Sequence, residues 1–337
     1  MKLLHIGKKG NVERYTVKSN FTENMEIIEA DGHLPEDEII KAGKDADFII
    51  ADAMSAVSEK LINSMPNLKL IHSEGVGFNF FDLKAAGERN IYVCNCKGIN
   101  ASAVAEQAVL LMLGMLRDVK NCDTAVREGR QITVKENYMK EGSLSELSDF
   151  TVGLVGFGDI AKCVASLMTA FGAKTYYYDI FRADSETEKK YNTEYLPLDE
   201  LLGKCGIISL HVPVTPETKN MANDDFFNKM QNGSYIVNTA RGELLDSAAL
   251  ARAIERGKIA MAALDTVAGE PVQKDNILLT QKPEIENKIL FSPHIGGITS
   301  SSFKRGYARA WSNIEKVSKG EEPNNIVNRK YLRSDKK

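Results

Sequence analysis

The sequence lacks three features that would each point to a class of protein. Its 337 residues carry 43 Lys and Arg against 46 Asp and Glu, so it has no basic excess of the kind that binds a nucleic-acid backbone. Its five cysteines are scattered and odd in number, without the repeated pairs of a disulfide framework or a zinc site. Its most apolar run, 104–116, contains Glu106 and is shorter than the roughly 20 residues of a membrane-spanning helix. We therefore expect a protein of the reducing cytoplasm that holds no metal and has neither a nucleic-acid nor a membrane partner.

Strand-like and helix-like patterns alternate along the chain, which is typical of α/β folds with parallel sheets. The alternation is interrupted by a helix pattern at 102–116 that is apolar almost all round, and it starts again at Thr151. We interpret the apolar helix as a connector between two doubly wound domains, the number that a chain of this length predicts. The polar segment 120–148 is interpreted as an arm or an interface element. The predicted strands are 3–6, 26–28, 48–51, 68–72, 91–95, 151–155, 175–178, 207–212, 235–238, 261–264 and 289–291.

The run Gly-Phe-Gly-Asp-Ile-Ala at 156–161 matches a dinucleotide-binding turn between a strand and a helix. Its glycines permit a tight turn and a close approach of the backbone to a pyrophosphate, and the helix N-terminus offers N–H groups to the phosphates. Asp179 ends the next strand pattern, 21 residues after Gly158, at about the spacing of a carboxylate that binds ribose hydroxyls. Its charge would repel a 2′-phosphate, so NAD is favoured over NADP. Arg182 leaves the alternative open, because an arginine near this point can hold that phosphate.

Polar side chains follow the later strands of the same predicted sheet, where ligands of open α/β sheets bind. Arg241 can bind a carboxylate and the adjacent carbonyl oxygen with its planar fork. His294 can supply a proton as hydride reaches the carbonyl carbon and remove it in the reverse direction. A paired Glu270 would orient the His294 ring and favour its protonated form. Each side chain alone could be structural, but together they predict the reversible reduction of a 2-oxo acid to a 2-hydroxy acid.

Strings from nearly the whole chain are similar to the D-isomer-specific 2-hydroxyacid dehydrogenase family, above all 153–161, 210–220, 238–246, 263–271 and 292–297. The resemblance implies an (R)-2-hydroxy acid product and the roles of Arg241, Glu270 and His294 given above. It also implies that the N–H groups of Val76 and Gly77 bind the substrate carboxylate together with Arg241 and His294, and that Asp265 holds the nicotinamide carboxamide. The cofactor residues implied are Gly156, Gly158, Asp159, Ile160, Asp179, Val212, Pro213, Thr218, Thr239, Ala240, Asp265 and Gly296.

The resemblance further implies how the domains are divided. Residues 100–299 would form a Rossmann NAD-binding domain, and residues 300–337 would rejoin 1–99 in a smaller, flavodoxin-like substrate domain. Members of the family are commonly dimeric through the cofactor domain. The segment of about 120–148 would then be an arm at a homodimer interface.

Some positions depart from the family pattern. Lys97 stands where proline is frequent, Gln107 replaces a histidine or an aromatic residue, and the loop 51–55 lacks the arginine of members that act on phosphorylated acids. The last departure argues against phosphoglycerate. It leaves open the choice among glyoxylate, hydroxypyruvate, pyruvate and a longer branched or aromatic 2-oxo acid. Two alternatives remain: a NAD-sensing protein similar to family-related corepressors, and an oxidoreductase for a phosphite-type donor. The presence of Arg241, Glu270 and His294 together favours an enzyme over a sensor, because a sensor needs no acid.

Overall fold

The computed structural model describes residues 1–333, which form two compact units. One unit contains Met1–Asn100 and the chain from Ile298 onward, and the other contains Ala101–Gly297. The strands are β1 (Lys2–Ile6), β2 (Glu26–Ala30), β3 (Phe48–Ala51), β4 (Leu70–Ser73), β5 (Tyr92–Cys94), β6 (Thr151–Val155), β7 (Lys174–Tyr178), β8 (Thr193–Tyr195), β9 (Ile207–Leu210), β10 (Ser234–Asn238), β11 (Ile259–Leu264) and β12 (Ile289–Phe291). The helices are α1 (Asn11–Tyr15), α2 (Asn20–Glu23), α3 (Glu36–Gly43), α4 (Glu59–Asn63), α5 (Leu83–Glu88), α6 (Ala101–Leu116), α7 (Val119–Arg127), α8 (Gln131–Glu141), α9 (Asp159–Ala170), α10 (Ser185–Lys190), α11 (Leu198–Lys204), α12 (Asp224–Lys229), α13 (Ser247–Glu255), α14 (Pro283–Glu286) and α15 (Ser300–Ser318).

The first unit is built on a five-stranded parallel sheet with the flavodoxin-like order β2-β1-β3-β4-β5. Its central strand β3 reads Phe-Ile-Ile-Ala and is buried along its whole length, as expected for a parallel strand that is covered on both faces. Helix α15 belongs to this unit, because Tyr307 and Ile314 pack in one core cluster with Leu3 and Phe48. Ligands of such a sheet bind outside the carboxyl ends of its strands, which here include the loop after β4.

Asn328 fixes the segment after α15 to the edge strand β5. Its Oδ1 accepts the N–H of Val93 at 2.9 Å, and its Nδ2 donates to the carbonyl oxygen of Ile91 at 2.8 Å. The N–H of Val327 donates to the carbonyl oxygen of Val93. These bonds satisfy backbone groups that an edge strand would otherwise leave unpaired, so the returning segment is an integral part of the first unit.

The second unit is built on a seven-stranded parallel sheet in the order β12-β11-β10-β9-β6-β7-β8. Read from β8, this is the doubly wound order of a Rossmann fold with one further strand, β12, at the far edge. The predicted α/β class with a Rossmann unit and a smaller flavodoxin-like unit is therefore confirmed. Helix α6 is apolar almost all round, as predicted, and its Met112 lies in one buried cluster with Leu154 and Val164. The winding reverses between β6 and β9, where a ligand crevice is expected.

Some local predictions are wrong. No strand is predicted at 193–195, where the structure has β8, because three residues are too few to show an alternating pattern. The strand predicted at 207–212 ends at Leu210. No helix or strand is predicted within the segment 120–148, where the structure has α8 and most of α7. Helix α8 has no buried residue, so no apolar stripe marks it in the sequence. Among the described helices, none has the length and apolarity needed to cross a membrane.

Candidate active site

The glycine turn after β6 fits a dinucleotide in both shape and charge. Gly156 has a φ of +95°, and a Cβ there would lie 2.8 Å from the carbonyl carbon and oxygen of His211, so only glycine fits. A Cβ at Gly158 would meet no atom within 4 Å, so this residue faces open space. Helix α9 begins at Asp159, and its N-cap residue, Gly158, has no side chain that could cap the first N–H groups. The turn therefore leaves room for a pyrophosphate at a helix N-terminus that can bind it.

Asp179 follows β7 and is fixed beside this turn. Its Oδ2 accepts the N–H of Phe157 at 2.7 Å, and its Oδ1 accepts the N–H of Phe181 at 3.0 Å. A carboxylate oxygen can accept more than one hydrogen bond, so both oxygens retain capacity for hydroxyl donors. The side chain is thus oriented as a ribose-binding carboxylate requires.

His294 and Glu270 form a hydrogen-bonded pair. His294 Nδ1 lies 2.6 Å from Glu270 Oε2, while Glu270 Oε1 accepts the N–H of Val267 at 3.0 Å. An ionised carboxylate only accepts hydrogen bonds, so the Nδ1 atom carries the proton of this contact and Nε2 is left for another partner. Both side chains are partly exposed, at 44% and 37%. The pair can therefore orient the imidazole so that Nε2 remains available to a ligand.

The backbone at His294 is in the left-handed region, with a φ of +55°, which few residues with a Cβ adopt. The conformation is held by the His294 N–H, which donates to the carbonyl oxygen of Asp265 at 2.8 Å. The carboxylate of Asp265 is buried and accepts the Oγ–H of Ser292 and the N–H groups of Ile295 and Gly296. Asp265 therefore organises the loop that carries His294, and the N–H of Gly296 is already engaged.

Gln107 and Ser292 are site residues that sequence reasoning did not assign. Gln107 Nε2, in the first turns of α6, donates to Ser292 Oγ at 3.0 Å, and Ser292 in turn donates to Asp265. Gln107 departs from the family pattern, and these hydrogen bonds show what its amide does in this structure. The amide contacts the loop of His294 through Ser292. The only signal in the sequence was the position of Ser292 two residues before His294.

Arg241 follows β10 and has an available guanidinium. Its Nη1 donates to the carbonyl oxygen of Ala240 at 2.7 Å. Among residues 1–333, no carboxylate lies within ion-pair distance of Arg241, so it is not a structural ion-pair residue. Asn238 fixes its backbone by accepting the N–H of Ala240 and donating to the carbonyl oxygen of Arg241. A planar fork that has no carboxylate partner in this part of the chain, and that uses only Nη1 in this hydrogen bond, can bind an anion with its other N–H groups.

The segments that carry Arg241 and Glu270 are packed directly against each other. A Cβ at Gly242 would collide with the backbone of Val267 and Ala268. Glycine at 242 is therefore what allows the two segments to approach, and their spacing fixes Arg241 relative to the His294–Glu270 pair.

The other predicted cofactor residues of the second unit lie at the same carboxyl edge. A Cβ at Gly156 would lie 2.9 Å from Val212 Cγ1, and Thr218 Oγ1 donates to the carbonyl oxygen of Pro213 at 2.7 Å, which closes the loop after β9. The hydroxyl of Thr239 is buried and has no partner within residues 1–333, as expected of a group whose partner is a ligand. Ile160 lies in the first turn of α9.

Within residues 1–333, no group of three or more His, Cys, Asp or Glu side chains is placed to hold a metal ion.

In the first unit, the loop after β4 presents two adjacent N–H groups. The carbonyl oxygen of Val76 accepts from Asn95 Nδ2 and that of Gly77 accepts from Ser73 Oγ, both at 2.7 Å. The N–H groups of Val76 and Gly77 have no partner in the described part of the chain. Neighbouring free N–H groups can bind an anion, so the loop has the form that a carboxylate site requires. Neither Ser73 nor Asn95 was predicted, because nothing local in the sequence links them to this loop.

Comparison with known proteins identifies what this chain is similar to. The family model described as "D-isomer specific 2-hydroxyacid dehydrogenase, NAD binding domain" matches residues 109–296. A glyoxylate reductase of Thermofilum pendens is 36% identical over 298 residues, which cover 88% of this chain and 86% of that protein. A hydroxypyruvate reductase of Thermotoga maritima is 34% identical over 283 residues, covering 84% and 88%. The D-isomer specific 2-hydroxyacid dehydrogenase of Lactobacillus delbrueckii ssp. bulgaricus, solved in its NAD complexed form, has a TM-score of 0.83 at 26% identity and covers 97% of this chain and 100% of that one.

Proposed function

The chain belongs to the D-isomer specific 2-hydroxyacid dehydrogenase family, and from this premise we propose that Arg241, Glu270 and His294 are the residues that carry out its reaction. The enzyme is NAD-dependent and reduces a small 2-oxo acid reversibly to the (R)-2-hydroxy acid. The observation that carries the residue assignment is the 2.6 Å contact between His294 Nδ1 and Glu270 Oε2. It leaves the Nε2 atom of His294 as the group that exchanges a proton with the substrate.

NADH, when bound, supplies the hydride. His294 Nε2 donates a proton to the carbonyl oxygen as the 2-hydroxy acid forms, and it takes the proton back in the reverse direction. Glu270 is a positioning residue, because its carboxylate orients the ring and stabilises the imidazolium. Arg241 binds the substrate carboxylate and the carbonyl oxygen with two N–H groups of its fork, which the lack of a carboxylate partner among residues 1–333 supports.

The remaining assignments are proposed on the contacts described above. The N–H groups of Val76 and Gly77 bind the substrate carboxylate, a role supported by the two side chains that hold the carbonyl groups of this loop. The cofactor is held by the turn at Gly156 and Gly158, by the loops after β9 and β10, and by Asp179 at the ribose. Asp265 binds the carboxamide of the nicotinamide. Its Oδ2 accepts one N–H in the structure and can accept a second.

For the substrate, we propose a 2-oxo acid of two or three carbons, with glyoxylate and hydroxypyruvate first. The support is that curated relatives with identities of 36% and 34% carry the names glyoxylate reductase and hydroxypyruvate reductase. A panel of 2-oxo acids with NADH and with NADPH, followed by absorbance of the reduced cofactor, tests this together with the cofactor. We expect turnover of these two acids with NADH. Binding of NADH without turnover of any acid would contradict the proposal and favour a NAD sensor, and phosphite should be included as an alternative donor for NAD.

We further propose a homodimer in the cytoplasm. Helices α7 and α8 expose Val126, Ile132 and Met139 by more than half of their surface. Val126 and Met139 line one cavity together, and exposed apolar surface that is contiguous in this way marks a protein interface. Five cysteines, none of them in a disulfide, fit a reducing compartment. Light scattering of the wild type and of a Met139→Asp variant tests the dimer: we expect a dimer that the variant weakens, and a monomeric wild type would contradict the proposal.

A further inference from the structure

We infer that Glu188 is a determinant of the preference for NAD over NADP. Its carboxylate pairs with the guanidinium of Arg182, which could otherwise bind a 2′-phosphate. The inference rests on the proposed role of Asp179 at the ribose. Arg182 lies three residues after Asp179, in the loop that follows β7, where an arginine can accommodate the 2′-phosphate of NADP. Asp179 and Arg182 thus have opposite effects on a phosphate, and the preference depends on what holds Arg182.

Arg182 is bound by Glu188 of α10 through two parallel hydrogen bonds. Its Nε donates to Oε1 at 2.9 Å and its Nη2 donates to Oε2 at 3.2 Å. This is the fork geometry that the guanidinium would also present to a phosphate. The guanidinium carbon lies 5.4 Å from the centroid of the Tyr195 ring, which supports the group from one side. The hydrogen bonds from Arg182 hold the pKa of Glu188 below its ordinary value, as expected for an ionised partner.

Glu188 is itself fixed by the packing next to the cofactor turn. Its side chain is only 14% exposed. Tyr177 Oη donates to Glu188 Oε1 at 2.8 Å and accepts the N–H of Ala183 at 2.9 Å. Tyr177 is fully buried, and its ring stacks on Phe157 of the glycine turn with a centroid distance of 4.0 Å. The position of the Glu188 carboxylate is therefore fixed. Tyr177 connects the Arg182–Glu188 pair to the glycine turn, because it contacts both Glu188 and Phe157.

A 2′-phosphate would meet two obstacles at this pair. It would have to displace Glu188 from the fork of Arg182, and it would then lie beside a partly buried carboxylate of the same charge sign. Replacing Glu188 by Gln removes the charge, keeps an acceptor for Tyr177 and leaves Arg182 free to turn to a phosphate. A phosphate-binding arginine would become available without any new residue.

Calorimetric titration of NAD⁺ and NADP⁺ in the absence of substrate tests this, with an unchanged far-UV circular dichroism spectrum and a cooperative thermal unfolding transition as the evidence of folding. We expect Asp179→Ser/Glu188→Gln to bind NADP⁺ roughly tenfold more tightly than Asp179→Ser, the effect of removing one nearby like charge. Adding Arg182→Met should abolish the gain. Glu186→Gln is the matched control, because it removes the same charge from an exposed position on α10 and should give no gain.

The outcomes separate the two roles. No gain from Glu188→Gln, a gain that survives Arg182→Met, or an equal gain from Glu186→Gln would each overturn the role of Glu188. If Asp179→Ser alone leaves the ratio of the NAD⁺ and NADP⁺ affinities unchanged, the proposed role of Asp179 is wrong. The role of Glu188 is then tested with Glu188→Gln in the otherwise unaltered chain. This variant should bind NADP⁺ more tightly than the wild type, and the gain should be lost when Arg182→Met is added; any other result would overturn the role of Glu188.

Discussion

Gly242→Ala perturbs the active site without touching any group that is proposed to bind substrate. The added methyl group would collide with the backbone of Val267 and Ala268, well inside the roughly 3.5 Å at which carbon atoms pack. Backbone atoms cannot rotate away as the end of a side chain can, so the two segments must separate by about 1 Å. Whichever segment moves, Arg241 is displaced relative to Glu270, whose contact with His294 measures 2.6 Å.

We expect Gly242→Ala to lower kcat by about ten- to a hundredfold, because a misplacement of about 1 Å has an effect of this size on reactions that depend on orientation. Overpacking should also lower the free energy of unfolding by about 1–3 kcal/mol. Steady-state kinetics with the best 2-oxo acid of the panel and urea unfolding at neutral pH measure the two effects.

The matched control is Gly203→Ala in α11, where the nearest atom to the new Cβ is the carbonyl oxygen of Lys229 at 3.9 Å. This substitution should leave kcat unchanged and stabilise the protein by up to about 1 kcal/mol, because alanine favours a helix over glycine. A Gly242→Ala variant with wild-type kcat and stability would show that the packing of these segments does not position the site, and the reasoning would fail.

Three further predictions use other groups. His294→Asn should lower kcat by about a hundredfold or more with NADH binding retained in a fluorescence titration, and an unaltered kcat would remove its role as proton donor. Arg241→Lys keeps the charge but loses the planar fork, so KM for the 2-oxo acid should rise and kcat fall; wild-type kcat/KM would mean that a point charge suffices. Burial lowers the pKa of His72 from 6.5 to about 4, so the unfolded chain takes up this proton first and the free energy of unfolding should fall by about 3 kcal/mol between about pH 6.5 and pH 4. Urea unfolding of the wild type and of His72→Gln checks the sign, since equal slopes against pH would contradict it.

The elements that the sequence predicts well are those with a strong local signal. The strands Phe48–Ala51, Thr151–Val155 and Ile289–Phe291 have the predicted bounds, because turns flank short runs rich in apolar residues. The predictions fail where tertiary contacts supply what the sequence does not show. Strand β8 exists because it pairs with β7 at the sheet edge, and helix α8 buries no residue that could reveal its period.

The same distinction applies to the site. Arg241, Glu270 and His294 could be predicted, because each follows a strand and the carboxyl ends of parallel strands lie at one edge. Gln107 could be noticed but not interpreted, since its partner Ser292 is 185 residues away in the chain. The hydrogen bonds of Ser73 and of Asn95 to the loop after β4 depend in the same way on which strands are neighbours, and a single sequence carries no local trace of them.

The return of α15 to the first unit has a consequence for how the protein is made. Leu3 and Phe48 pack against Tyr307 and Ile314, but a ribosome that adds about 5–20 residues per second needs roughly 10–50 seconds to synthesise the intervening chain. During that interval the part of the first sheet that α15 covers in the finished protein stays exposed. The second unit is one continuous segment, Ala101–Gly297, and can complete its core within the same period. The first part of the protein to be translated is therefore among the last to be finished, and its dependence on chaperones should be greatest just before α15 emerges.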